Sequence, residues 1–299
     1  MNQMKKCGVI SIVGRPNVGK STLTNALVGE KIAIVSPKPQ TTRNRITGVV
    51  NRPEGQLVLL DTPGLHRAHN KLDEYMTQTV RHSVADVDGV FLLVEPVAKI
   101  GEPEQELIAR IKALGAPAVL VINKVDTVKK EDLLAVMAAY GQAHGWRAIL
   151  PISAKTKEGL EELTALAMEL LPVGPALFPE DMTTDQPERQ VCAEILREKL
   201  LLCLDKEVPH GTAVELTRFA QRDRDDVIEC EATIYCEKES HKGIIIGKKG
   251  AMLKRISTLA REDMERFMGA KVFLETWVNV KEYLRASLSQ VQNFGYREE

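Results

Sequence analysis

Residues Gly14-Arg15-Pro16-Asn17-Val18-Gly19-Lys20-Ser21 read GRPNVGKS, and this stretch decides how the first half of the chain folds. It fits G-x-x-x-x-G-K-[ST]. The apolar run VISIV at 9–13 precedes it, and a helical pattern follows from Thr22. A glycine-rich turn between strand and helix gathers backbone N–H groups at a helix N-terminus, where an anion is favoured. Lys20 is placed to reach the outer phosphates of a nucleotide, and Ser21 to offer a hydroxyl to Mg²⁺. A chance glycine turn would lack the strand and helix on either side.

Working outward, β-branched runs alternate with helical segments. QLVLLD (56–61), VFLLV (90–94), AVLVIN (118–123) and AILPIS (148–153) are near-continuous apolar strands, as expected when helices cover both sheet faces. ITGVV at 46–50 fits an antiparallel edge. Helical patterns fill Glu102–Leu114, Lys130–Gln142 and about Glu158–Leu171. This is an α/β, doubly wound pattern with a mostly parallel sheet.

Three further segments end strands, where open α/β sheets bind ligands. DTPGL contains Asp61, Thr62, Pro63 and Gly64. Asp61 is expected to hold Mg²⁺ through water and the Gly64 amide to sense the terminal phosphate. NKVD contains Asn123, Lys124 and Asp126. A carboxylate there accepts two hydrogen bonds from guanine's ring N–H and amino group, a pair adenine lacks. SAK (Ser153, Ala154, Lys155) follows the next strand, with the Ala154 amide facing the guanine oxygen. Upstream, PKPQTTRNR at 37–45 offers Thr41 or Thr42 to complete the Mg²⁺ shell beside Ser21 and Asp61, and Thr42 is the expected ligand. The expected nucleotide set is therefore Gly14 to Thr22, Asp61 to Gly64, Asn123, Lys124, Asp126 and Ser153 to Lys155. Lys20, Thr42 and Gly64 carry the catalytic roles.

At 299 residues the chain suggests two domains. Its composition, 44% hydrophobic and 27% charged, is that of an ordinary globular protein. No apolar run is long enough for a transmembrane helix. Five cysteines without a C-x-x-C pair read as reduced thiols in a cytoplasmic setting. The net charge of -1 gives no global nucleic-acid signature. Locally, 240–260 has no acidic residue but holds Lys242, Lys248, Lys249, Lys254 and Arg255.

Domain 1–172 is followed by a proline-rich linker, 173–190. The rest, 191–299, changes to α+β: a helix, two strands joined by a turn at 222–225, a glycine loop, a long helix, a third strand, and a C-terminal helix. The loop GIIIGKKG (243–250) fails as a second phosphate loop, since its spacing is short and Lys249 stands where Ser or Thr is needed. It fits Ile-Ile-Gly-x-x-Gly before a helix. That resembles the GXXG loop of type II KH domains, which clamp single-stranded RNA backbones. The expected RNA residues are Gly247, Lys248, Lys249, Gly250, Lys254 and Arg255, with Ile245 and Ile246 beside the loop packing or contacting bases. Phe273 and Trp277 alternate on the last strand and read as core. His66 and His69 read as a polar loop, with no third ligand for a metal.

The ordered set GRPNVGKS, TT, DTPG, NKVD and SAK is similar to that of translation-factor-related GTPases. With the KH element order, KPQTTR and FPED, the whole chain resembles the Era family of bacterial GTPases. The resemblance implies hydrolysis of GTP with Mg²⁺ and binding near the 3′ end of small-subunit ribosomal RNA. It also implies a part in small-subunit assembly and, for some members, peripheral association with the inner membrane face. It suggests K⁺ at Asn17 as a fixed charge, with Arg43 and Arg45 as other donors, because Leu65 cannot orient water where many GTPases place glutamine. The residues alone leave a GTP-driven switch, a slow timer and a constitutive RNA scaffold open. They indicate no stable protein partner.

Overall fold

The computed structural model describes residues 5–64, 70–82, 87–222 and 225–285. Contacts divide the chain into two compact units. One comprises Met1–Ala33, Thr42–Arg67 and Met76–Asp185; the other comprises Ile34–Thr41, Ala68–Tyr75 and Gln186–Glu299.

In the first unit, β1 (Lys5–Gly14), α1 (Lys20–Val28), β2 (Ile46–Arg52) and β3 (Gly55–Asp61) come first. After α2 (Lys71–His82) follow β4 (Gly89–Val94), α3 (Glu102–Leu114), β5 (Ala118–Ile122), α4 (Lys130–Ala143), β6 (Ala148–Pro151) and α5 (Leu160–Leu170). The strand order is β2-β3-β1-β4-β5-β6, and a short β7 (Val173–Gly174) pairs antiparallel with β1. The β2 strand is antiparallel to β3, as its edge position in the sequence suggests, and the β3, β1, β4, β5 and β6 pairings are parallel. Strands β4 and β5 are buried along their whole length, which their unbroken apolar sequences require. Because β1 lies between β3 and β4, the chain after β1 turns one way and the chain after β3 the other. That opens a crevice at the strands' C-terminal ends. The register aligns those ends: Ile12 pairs with Asp61, Gly14 with Leu93 and Val94 with Ile122.

The proline-rich stretch after α5 is held against the first sheet. The Gln56 side chain accepts from the Leu177 and Phe178 amides and donates to the Phe178 carbonyl. The Val49 amide donates to the Thr183 carbonyl, and the Thr184 hydroxyl to the Thr47 carbonyl.

The second unit contains α6 (Glu188–Cys203), β8 (Thr212–Gln221), β9 (Ile228–Cys236), α7 (Glu239–Ile246), α8 (Ala251–Met268) and β10 (Val272–Val280). Its sheet order is β10-β9-β8, with β8 antiparallel and β10 parallel to β9. Ile195, Leu196 and Leu200 of α6 and Ile256, Ala260 and Met264 of α8 pack in one core with the inward residues of β9. Helix α7 was not expected. Gly243 and the β-branched Ile244–Ile246 argue against a helix locally, and the apolar core holds it in place through Ile245. The C-terminal helix, Leu65, His66 and His69 lie outside the described residues.

This unit also holds Ile34–Thr41. The Val35 amide donates to Glu198 Oε1 at 2.9 Å, and Arg197 donates to the Thr41 carbonyl. Behind Glu198, buried Lys199 bridges Glu198 at 2.7 Å and Asp263 of α8 at 2.5 Å. Burial alone would lower the Lys199 pKa, but its bonds to Asp263 and Glu198 raise it.

Candidate nucleotide site and RNA groove

The phosphate loop leaves β1 at the crevice. Gly19, in the left-handed region at φ 100, starts α1, and a Cβ on it would lie 2.3 Å from the Asn123 amide nitrogen. Lys20 is buried and donates to the Gly14 and Arg15 carbonyls at 3.1 and 2.9 Å. Its ammonium is thereby folded into the loop. Burial brings its pKa down to about 8, against the opposing pull of Asp61.

Asp61 ends β3 fully buried. Burial raises its pKa to about 6, with Lys20 the main opposing charge. Neither carboxylate oxygen makes a well-formed hydrogen bond among the described residues, although the Ser21 hydroxyl and the Thr62 amide lie close enough to oppose the rise in its pKa. An orphaned buried carboxylate is costly unless something else claims it. The Ser21 and Thr42 hydroxyls lie 2.8 Å apart. Two hydroxyls and a carboxylate are hard oxygen donors of the kind Mg²⁺ takes with phosphate and water. The residues present therefore fit the metal. Gly64 presses on the phosphate loop, where a Cβ would come within 2.5 Å of the Pro16 nitrogen. Beside it, the Thr62 hydroxyl donates to the Ile12 carbonyl, tying the loop after β3 to β1.

Asn123 is the brace. Its Nδ2 donates to the Val18 carbonyl at 2.8 Å, and its Oδ1 accepts from the Ala154 amide at 2.9 Å. One side chain thus joins the phosphate loop to SAK. The Ala154 amide, expected to face the guanine oxygen, donates to Asn123 in the nucleotide-free chain. Lys124 takes a left-handed backbone (φ 66), and its ammonium reaches the Asn17 carbonyl at 2.7 Å and Glu95 at 2.5 Å. Asp126 is exposed, and Ser153 Oγ donates to its Oδ1 at 2.7 Å, fixing the carboxylate. Arg15 is tied to Glu104 and Glu95, and Pro16, Asn17 and Val18 complete the loop, with Thr22 on α1. Glu95 and Glu104, which hold Lys124 and Arg15, were missed because no sequence motif includes them. Lys155 is exposed beside Ala154. Of the two other proposed charge donors, Arg43 is buried and Arg45 exposed.

In the second unit, Gly247 (φ 70, ψ 177) and Gly250 (φ 78) bracket the loop, and Lys248 and Lys249 between them are exposed. A Cβ on Gly247 would lie 2.7 Å from Met252 Cβ, so glycine is required there. A groove of about 340 Å³ runs along α8 and β10, lined by Gly250, Leu253, Lys254, Ser257, Thr258, Arg261, Leu274 and Thr276. Ser257 and Thr276 hydroxyls meet across it at 2.9 Å. Arg255 is exposed next to Lys254. Lys254 was expected in the RNA set, but Ser257, Thr258, Arg261 and Thr276 were missed, although 250, 254, 257 and 261 mark one helical stripe.

Two expectations need correcting. Ile245 has no exposed surface and belongs to the core, so it cannot touch a base; Ile246 is half-buried against that core. Ile244, 50% exposed, is the isoleucine that α7 turns outward. Phe273 and Trp277, read as core, are 46% and 60% exposed, because the helices cover the other face of the sheet.

The family model described as 50S ribosome-binding GTPase matches 9–124, and the KH domain model matches 207–283. The chain is 48% identical to GTPase Era of Ruminiclostridium cellulolyticum, covering 98% of each, and 47% identical to GTPase Era of Geobacter metallireducens, covering 97% and 98%. Two solved structures align with a TM-score of 0.95, each covering 98% of this chain and 100% of the other. One is a variant of Aquifex aeolicus Era bound to GDP·AlF₄⁻, at 37% identity. The other is Era with MgGDPNP and nucleotides 1506–1542 of 16S ribosomal RNA, at 38%. The chain belongs to the Era family of GTPases.

Proposed function

We propose that this protein hydrolyses GTP as a molecular switch and grips single-stranded RNA near the 3′ end of small-subunit ribosomal RNA, assisting maturation of that subunit. One observation carries the enzymatic half. A single sheet edge brings together the Lys20 ammonium, the unpartnered Asp61 carboxylate, the Ser21–Thr42 hydroxyl pair and the Asp126 carboxylate. The relative bound to MgGDPNP and 16S ribosomal RNA supports both ligands.

On this reading residues 1–172 are the nucleotide domain, 173–190 the connection and 191–299 the RNA domain. Lys20 exchanges its two carbonyl contacts for the outer phosphates and spreads their charge as the bond to the leaving phosphate lengthens. Ser21, Thr42 and Asp61 hold Mg²⁺, which neutralises charge between the last two phosphates. Asp126 selects guanine, and Asn123 keeps the phosphate and base loops in register. The Gly64 amide reports the terminal phosphate. K⁺ at Asn17 belongs to this proposal, and equal turnover in Na⁺ and K⁺ buffers removes it. Peripheral association with the inner membrane face also belongs to this proposal, and no described helix is long and apolar enough to cross a membrane.

Support for coupling comes from Ile34–Thr41, which precedes Thr42 and packs in the second unit through Val35 and Glu198. From Glu198 the ionic path runs through Lys199 to Asp263 on α8, whose first turn follows Gly250. The test is affinity for a single-stranded RNA from the 3′ end of 16S ribosomal RNA, with GDP and with a non-hydrolysable GTP analogue at fixed salt. Tighter binding with the analogue is expected. Equal affinities refute the switch, and no binding in either state refutes the RNA assignment.

A further inference from the structure

The second unit's sheet has two unlike faces. Leu274 and Thr276 of β10 look into the RNA groove, whereas Phe273, Glu275 and Trp277 lie on the opposite side. Registers place Thr233 beside Trp277, Glu231 beside Glu275, and Glu215 beyond Thr233. Carboxylates on this face disfavour a phosphate backbone.

Three aromatic side chains stand here, and two already carry a cation from this chain. Arg222 lies 5.1 Å from the centre of the Phe273 ring, and Lys281 lies 5.3 Å from that of Tyr235. Trp277, the strongest cation acceptor of the three ring types, has no cation over it among the described residues and is 60% exposed. The neighbouring arginines are committed elsewhere: Arg222 and Arg218 bind Glu229 at 2.5 and 2.7 Å, and Arg218 reaches Glu231 only at 3.7 Å. On the same face, Glu275 and Glu215 form no ion pair among the described residues; Glu215 accepts only from the Tyr235 hydroxyl at 3.1 Å.

We propose that this outer face, centred on Trp277, docks an arginine- or lysine-bearing segment of a protein partner. A cation from the partner sits over the indole, and Glu275, Glu231 and Glu215 receive its neighbours. The charge pattern commits the face to a basic protein segment, while the groove on the other side of the same strand serves RNA. One strand would then read two kinds of partner, with Leu274 and Thr276 facing RNA and Phe273, Glu275 and Trp277 facing protein. The proposal goes beyond the RNA reading and does not need it to hold.

The test uses the full chain with Trp146→Phe, which leaves Trp277 as the single tryptophan. The probe is the peptide Gly-Arg-Gly-Arg-Gly-Arg-Gly, with a matched peptide carrying neutral citrulline for arginine. Saturable change in Trp277 emission is expected, at least about fivefold tighter for arginine than for citrulline. Glu275→Lys should remove that preference while leaving GTP turnover unchanged. An RNA oligonucleotide is titrated separately, so failure of RNA binding is seen apart from failure of the peptide. Equal binding of the two peptides, no saturable change, or an emission change on concentrating the protein alone each overturns the proposal. The last outcome would give the face to a second copy.

Discussion

Acidification should loosen Mg²⁺ at Asp61 more than nucleotide chemistry alone can. The Asp61 carboxyl is fully buried, and burial lifts its pKa from 3.8 to about 6, with the Lys20 charge opposing. Holding the metal, whether directly or through its bound water, needs the ionised carboxylate, so a proton on Asp61 opposes metal binding. With that pKa, which belongs to the nucleotide-free fold, the group is roughly nine-tenths ionised at pH 7 and roughly one-tenth at pH 5, so apparent Mg²⁺ affinity should fall by up to about tenfold. The same shift acts on folding. A raised carboxyl pKa means that the nucleotide-free folded chain holds more protons than the unfolded chain between pH 3.8 and about 6. Stability therefore falls as pH rises through that window and is regained as pH drops. Between pH 7 and pH 5 the gain is about 1 kcal/mol. Calorimetric titration of Mg²⁺ into GDP-loaded protein at both pH values reads the first effect. Free GDP serves as a control for its own titrating phosphate, and Asp61→Asn as a control for every other group. Urea unfolding of the nucleotide-free wild type and variant reads the second. Asp61→Asn should bind Mg²⁺ weakly with only the pH dependence of free GDP, and should lose the acid-side gain in stability. If wild type and variant share one pH dependence in both assays, the buried carboxyl does not hold the metal and the reasoning fails.

Other predictions are simpler. Asp126→Asn should cost GTP about 100-fold or more in affinity, as two hydrogen bonds to a charged acceptor are lost, and should favour xanthine nucleotides; competition binding checks this. Asn123→Ala removes bonds to the Val18 carbonyl and from the Ala154 amide, and should destabilise the nucleotide-free chain by about 2–4 kcal/mol in urea unfolding. Lys248→Ala with Lys249→Ala should weaken RNA binding and reduce its salt slope by about 1.4, with GTP turnover intact, as read by titration at several salt concentrations. Gly247→Ala should abolish RNA binding with nucleotide affinity unchanged, because its Cβ would press on Met252.

Much of the nucleotide site is legible in the sequence because its parts are local. A phosphate loop needs its glycines, lysine and serine in one short run, and the strand and helix on either side are written in adjacent residues. The strand-end position of DTPG and NKVD follows from the apolar run before each. The RNA loop is legible for the same reason, since Gly247 and Gly250 serve a backbone shape. The bracing between loops is less so: Asn123 sits far along the chain from both Val18 and Ala154, and no spacing reveals that it spends the Ala154 amide.

What the sequence by itself determined, then, is the order of most elements and the backbone shapes of the two glycine loops, each fixed by short-range chemistry. What only the tertiary structure decided is which face of each element is covered. Alternation along 272–280 defines two faces of a strand but does not say which one the helices take. The sheet turned Trp277 outward, and the core drew Ile245 in and left Ile244 out. It also held a helix where the local sequence resists one, and docked the proline-rich stretch against Gln56. Burial is a property of what packs against a residue, and the packing partners are supplied by distant parts of the chain.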